Sequence, residues 1–172
     1  REEAIRDIRI DGVQPWKEKL KAQLVHYKKA PCYWPVMKML NTALEEEFED
    51  ITHQNKFCLE QVCRYLNISA DLDIFSEMGL SIGSVQAPDE WALRICQAIP
   101  GANAYWNPPG GVEFFDRQKY EKAGIDLKFQ KMVLDEYPQK GAPFEPGLSI
   151  LDVMMFNSPE KINEMLDHYE IL

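Results

Sequence analysis

Apolar and polar positions follow two different rhythms along this chain. At the start, "AIRDIRI" sets Ile5, Ile8 and Ile10 among charges, which predicts a short edge strand. Pro15 then opens a helix with Trp16, Leu20, Leu24 and Tyr27 on one face at near-helical spacing. Pro31 begins a second helix along "CYWPVMKMLNTALEEEF". Asp50 or Thr52 caps a third, with Leu59, Val62, Cys63 and Leu66 as its buried stripe. Residues 15–66 therefore read as three consecutive helices.

From residue 71 the rhythm changes. "DLDIFSE" alternates like a strand, and Pro88 with Asp89 and Glu90 starts a helix with Trp91, Ile95 and Ile99 facing inward. "NAYW" is a short strand, residues 117–123 a short helix, and "IDLKFQ" (125–130) a further strand. Strands alternating with helices predict parallel βαβ units. Ser149 with Asp152 three residues on has the spacing of a capping box, and Ser158 and Pro159 suit the N-cap and first position of a last helix. The expected fold class is α/β: a small, mostly parallel sheet with flanking helices and a helical insertion near residues 15–66.

Composition narrows the function classes. A chain of 172 residues with 45% hydrophobic content is expected to form a single domain with a sizeable core. Its net charge of −9 argues against a nucleic-acid partner. Residues 1–29 carry eight Lys/Arg against five acids, and residues 141–172 one Lys against six, which reads as a solvated acidic face. No run of about 18 apolar residues predicts a membrane span, and "REEAIRDIRI" has no apolar signal-peptide core. Cys32, Cys58, Cys63 and Cys96 lack disulfide-framework spacing, so reduced thiols and a cytoplasmic location are expected.

Candidate chemistry is sparse. His26, His53 and His168 have no second ligand at metal spacing, and Cys58 and Cys63 stand about 140° apart on a helix, so no metal site is expected. There is no G-x-S-x-G elbow, and "GLSIGS" (79–84) lacks the Lys of a phosphate loop. "AYWNPPGGVEFFD" (104–116) follows a strand, so in a parallel sheet it emerges where ligands bind. Gly110 and Gly111 could turn amides toward an anion, with Tyr105, Trp106 and Asn107 as platform and anchor. A Pro-Gly turn with its aromatics in the core fits the same residues. "YPQKGAPFEPGLSILD" (137–152) is a Pro/Gly-rich loop long enough to be functional, although Ser149 and Asp152 are also accounted for by capping.

Several of these segments together resemble the WbqC-like protein family. "IRDIRID" with "PWKEKL" and "YKKAPCY" is similar to the family's middle, "GANAYWNPPGGVEFFD" with "AGIDLKFQ" to its glycine loop, and "YPQKGAPFEPGLSILDVMMFN" to its C-terminal signature. The likeness runs along essentially all of this chain and corresponds to the C-terminal three quarters of the family's pattern. An N-terminal block with His-Gln-Pro, Leu-Pro-Trp and Asp-Asp is absent, so the chain is expected to lack the domain's N-terminal part. Leu20 stands where a His often follows Lys in relatives, and the helix at Pro88 lacks a basic residue often seen there.

The resemblance implies a bacterial surface-polysaccharide (O-antigen or capsule) tailoring enzyme, a transferase moving an acyl or aminoacyl group to a nucleotide-linked amino sugar. Carried over residue by residue, it implies Asp152 and Asn157 as catalytic and Asn107, Gly110, Gly111, Tyr137, Gln139, Trp16 and Lys19 as substrate-binding. It assigns no cofactor, and implies a nucleotide-sugar-like ligand as partner, with a homo-oligomer left open. Two other readings stand beside it. One is a non-catalytic binding or scaffold domain of the same pathway; the other is a nucleotide-handling enzyme stabilised by nucleoside triphosphate and Mg²⁺.

Overall fold

The computed structural model of the chain describes residues 3–141 and 143–172, which form two compact units. The first comprises the chain up to Glu77 together with Leu134–Met165; the second is Met78–Val133 with Leu166–Leu172.

The first unit is helical. α1 (Trp16–Gln23) runs on through a 3-10 stretch (Leu24–Lys29), and α2 (Tyr33–Glu45) and α3 (Ile51–Tyr65) follow. The late segment adds α6 (Ile150–Phe156) and α7 (Pro159–Leu166), which fold back on these helices. Val36, Leu66, Met154, Met155 and Ile162 make the central packing, and Leu24, Leu40 and Leu44 a second cluster that takes Trp16 and Tyr27 at its edge. Asp50 is the N-cap of α3, accepting from the amides of Thr52 and His53 at 3.0 Å each. The other end of α3 closes with Asn67 at φ 57°, Asn67 N–H donating to Arg64 O and Ile68 N–H to Cys63 O, a Schellman pattern.

The second unit holds α4 (Glu90–Ala98), β1 (Ala104–Asn107), α5 (Arg117–Lys122), β2 (Asp126–Met132) and β3 (Tyr169–Ile171). β1 and β2 pair in parallel, Ala104 opposite Asp126, through the crossover helix α5, as the alternating pattern predicts. β3 pairs with the other edge of β2 in antiparallel fashion, Gln130 opposite Ile171, so the three-stranded sheet is mixed, in the order β1-β2-β3. Tyr120, Phe129, Leu127, Leu93 and Cys96 form its core. Among the described residues no helix is long and apolar enough to cross a membrane.

Four expectations are corrected. Residues Ile5–Asp7 form a 3-10 turn, and the segment makes only one antiparallel bridge, Arg9 with Asp50. "DLDIFSE" is likewise irregular, with a 3-10 turn at Phe75–Glu77. In both, three charged residues among seven leave too little apolar surface to draw in a partner strand. On α4 the buried positions are Glu90, Leu93 and Cys96, while Trp91 is 51% exposed. On α3 Val62 and Leu66 of the expected stripe do face the core, whereas Leu59 is 56% exposed and Gln54 and Gln61 are buried. On α4 the buried face thus lies one to two residues, or about 100–200°, from the expected one. β3 was not anticipated, because "HYEIL" is too short and too polar to stand out.

Candidate functional site

Ser149 caps α6 through its hydroxyl, which accepts from Leu151 N–H at 3.3 Å. The side chain of Asp152, one turn in, takes no part in this cap, which corrects the capping-box expectation. It is 5% exposed, and its carboxylate is instead turned into a cluster of donors. Tyr27 donates its hydroxyl to Oδ2 at 2.6 Å, while Tyr137 donates to Oδ1 at 2.6 Å and Gln139 Nε2 to Oδ1 at 3.0 Å. Bonds this short are of the charge-assisted class.

The donors come from separate parts of the first unit. Tyr27 sits in the 3-10 stretch after α1, packed edge-on to Phe156, and Tyr137 and Gln139 enter from the long loop before α6. Gln139 also fixes that loop. Its Nε2 donates to Glu145 O at 3.1 Å and its Oε1 accepts from Glu145 N–H at 2.8 Å, so one carboxamide holds the backbone six positions on and reaches the carboxylate. Burial, reinforced by the hydrogen bond to Asp152 and its negative charge, pushes the Tyr27 phenol up to about 12. Burial with the same Asp152 bond pushes Tyr137 to about 12 as well. Both phenols are therefore fixed as protonated donors at neutral pH.

A cavity of about 480 Å³ opens over this cluster. Asp152, Tyr27 and Gln139 line it from below, with His26, Leu148 and Phe156 in the wall. His26 Nδ1 donates to Gln23 O at 2.7 Å, which leaves Nε2 without a part in that bond. A carboxylate offers about four acceptor sites. Among the described residues three donors are in place, two on Oδ1 and one on Oδ2. The cavity is thus lined by the Asp152 carboxylate, the His26 imidazole and the charged Lys140 and Glu145, together with the apolar Pro143, Leu148 and Phe156.

The structure gathers Tyr137, Gln139 and Asp152 into this one cluster. Asn157 is buried at the end of α6, where its Nδ2 donates to Val153 O at 2.9 Å and holds the helix terminus. Trp16 packs against the Leu24–Leu40–Leu44 cluster, and Lys19 is exposed on α1. Asn107, Gly110 and Gly111 belong to the second unit, in the turn after β1. There Pro109–Gly111 forms a 3-10 turn in which Gly111 N–H donates to Pro108 O and Val112 N–H to Pro109 O. Neither glycine has positive φ, so their amides follow the turn rather than the alternating geometry of an anion nest. Asn107 is occupied locally, accepting from Tyr105 Oη at 3.1 Å and donating to Pro108 O at 2.9 Å. Tyr105 and Phe115 join the aromatic core with Tyr120, whereas Trp106 stays partly exposed under Lys128 Nζ. Of the four aromatics of this stretch, Tyr105 and Phe115 pack on the core and Trp106 and Phe114 are exposed.

Sequence reasoning missed Tyr27 and His26 as members of the cluster. Tyr27 falls within "YKKAPCY", a segment singled out for the resemblance, but its helical spacing marked it as core. His26 was weighed only as a metal ligand.

Fold and site together define a mixed helix–strand protein whose cavity is built on a buried, hydrogen-bonded carboxylate. The chain belongs to the WbqC-like protein family, whose model matches residues 1–164, essentially its whole length. It is 28% identical over 155 residues to an uncharacterized protein of Mycobacterium tuberculosis, an alignment covering 89% of this chain and 64% of that protein. The chain thus spans under two thirds of the length of the curated relative it matches. No solved structure matches it.

Proposed function

We propose that the cavity over Asp152 holds the amino-sugar part of a nucleotide-linked sugar, and that the chain serves a tailoring step of bacterial surface-polysaccharide biosynthesis, acyl or aminoacyl transfer to that amine. The observation that carries this reading is the Asp152 carboxylate lining the cavity, held by Tyr27, Tyr137 and Gln139, with Oδ2 accepting one hydrogen bond among the described residues and so able to take another. A carboxylate so held accepts from an N–H of the sugar's ammonium on binding and, once that group has lost a proton, from an N–H of the free amine, whose lone pair it then orients. In the transfer, the amine nitrogen bonds to the carbonyl carbon of an activated acyl ester or thioester, the ester bond to the leaving group breaks, and the amine proton passes to a base. His26 Nε2 in the cavity wall suits that base. Asn157 acts one step removed, by holding the end of the helix that carries Asp152.

The test compares a nucleoside-diphosphate amino sugar with its hydroxyl counterpart on the intact chain. The amine form is expected to bind at least about tenfold more tightly, as one charge-assisted hydrogen bond gives, and to lose that preference in Asp152→Asn. Equal binding of the two sugars sinks the reading. A second reading, a non-catalytic binding or scaffold domain, is favoured by the fact that three protein donors already immobilise Asp152. Amine-selective binding with no turnover of any acyl thioester would select it.

A further inference from the structure

The phosphate of the proposed ligand has no seat where the glycine motif suggested one. The turn after β1 lies in the second unit, and neither of its glycines has the geometry of an anion nest. The cavity over Asp152 carries a cation of its own. Lys140 lines it, directly after Gln139, whose carboxamide ties Glu145 and Asp152 and so fixes the backbone on which Lys140 stands.

A second lysine comes from the 3-10 stretch Leu24–Lys29, where residues three apart eclipse. Leu24, Tyr27 and Ala30 form its inward line, buried or half-buried. His26 and Lys29 share a second line, and Val25 and Lys28 a third. His26 is in the cavity wall, so Lys29 leaves the backbone on the cavity's side and Lys28 on the other flank.

Both lysines are uncommitted. The ion pairs of the first unit take Lys17, Lys56 and Lys161 and leave Lys29 and Lys140 without a partner among the described residues. Residues 19–44 hold five lysines and no Asp or Glu, in a chain of net charge −9, so positive potential is concentrated on the stretch that forms this wall. The two signs are sorted by depth. Asp152 is buried, whereas Lys29, Lys140 and the Glu145 beside them in the wall are exposed. A phosphate is costly to strip of water completely, and flexible ammonium groups at a cavity mouth hold it while part of its hydration remains.

We propose that Lys140 and Lys29 form a phosphate subsite at the mouth of the Asp152 cavity, so that its ligand carries an amine at one end and a phosphate at the other. This rests on the reading given for that cavity and deepens it. Lys140 and Lys29 become the residues that select phosphorylated over free amino sugars. A cavity of about 480 Å³ is of the size that takes such a molecule.

The experiment titrates the chain at low ionic strength with glucosamine 1-phosphate, glucosamine and glucose 1-phosphate, read by calorimetry. Glucosamine 1-phosphate is expected to bind at least about tenfold more tightly than glucosamine, with the gap narrowing as salt is added. Lys140→Ala and Lys29→Ala are each expected to narrow the gap severalfold, and Lys28→Ala, the same charge change on the other flank, to preserve it. All three positions are exposed, so Tm is expected to stay unchanged. The proposal is overturned if the phosphate adds no affinity, if the gap survives in either variant of the subsite, or if Lys28→Ala narrows it equally, which would reduce the effect to the charge of the stretch as a whole. The two readings fail separately. Glucose 1-phosphate bound as tightly as glucosamine 1-phosphate, and weakened by Lys140→Ala, would leave the phosphate subsite standing and remove the amine reading. An amine preference lost in Asp152→Asn, beside a phosphate that adds nothing, would do the reverse.

Discussion

Asp152 shows what a single residue can and cannot disclose in advance. Its place in "GLSILD" marks a helix start, and the capping-box spacing supplied a sufficient local explanation. What redirected the side chain was long-range: Tyr27, 125 positions away, and Tyr137, 15 away, bring two hydroxyls to it. Such convergence is invisible to spacing rules, and only the family resemblance singled out Asp152, Tyr137 and Gln139 together. Removing one hydroxyl leaves a buried carboxylate with one donor fewer. Tyr27→Phe or Tyr137→Phe should each cost about 1.5–3 kcal/mol in denaturant unfolding, whereas Tyr169→Phe, on an exposed strand, should cost almost nothing. The same phenols set an alkaline limit. Their folded pKa, about 12, stands above the ordinary tyrosine value of about 10. The stability they contribute is therefore complete below pH about 10 and lost as pH rises from there through about 12. Stability measured across that window should fall more steeply in the parent than in the Tyr27→Phe, Tyr137→Phe double variant.

Among the elements, helices with a proline or a cap at the start were legible, α1, α3, α6 and α7 above all, because the cap is written within four residues. The β1–α5–β2 crossover was legible for the same reason, through its alternation of periods. Strands that needed a distant neighbour were not, and β3 at the C-terminus is the example. The glycine turn after β1 can be tested at this scale. A Cβ on Gly111 would run into Asn107 Nδ2 and the Phe115 ring, the latter at 2.8 Å, while one on Gly110 meets nothing within 4 Å. Gly111→Ala should then destabilise by about 1–3 kcal/mol and Gly110→Ala by less than about 1 kcal/mol, both read by chemical denaturation. If Gly110→Ala proved as damaging, the turn would not be held by the packing described. Another element carries its own pH dependence. His53, at the start of α3, places Nδ1 2.8 Å from Asp50 and Nε2 2.9 Å from Glu77 of the 3-10 turn. The hydrogen bond to Asp50, followed by the charges of Asp50 and Glu77, raises the His53 pKa. A raised histidine pKa means this clasp is complete below the ordinary value near 6.5 and is lost as pH rises through the elevated one. An NMR titration of the His53 ring should give a midpoint above the ordinary value, and Glu77→Gln should lower it.

Over the whole molecule, the sequence indicated the class, helices and strands around an α/β motif, and the family. It gave no hint that the contacts gather into two units, with the chain passing between them near residues 77, 133 and 165. Hydrophobic patterning reports which face an element buries and not which other element covers it, so the partition could not be read from it. The candidate site draws on residues 26–27 and 137–156 of one unit, while the glycine loop that first drew notice lies in the other. Net charge of −9 is spread over a chain whose ion pairs lie mainly at the surface, each contributing little alone. Stability therefore rests on the two cores, and chemistry on the few polar groups those cores enclose.

Gln139 carries a consequence for the ageing of the protein. Deamidation would turn its carboxamide into a carboxylate, set a second negative charge beside Asp152 and remove the donors to Asp152 and Glu145 O. A hydrolysis that changes the mass by about one dalton would thus undo the loop closure and the anchoring of the carboxylate together, since a single side chain performs both. Gln139→Glu reproduces the damaged form. It should speed proteolysis within residues 139–145 and lower Tm, whereas Gln118→Glu, at an exposed position, should leave both unchanged. In stored preparations, cleavage in that loop would then serve as a clock for the chemical integrity of the cavity beneath it.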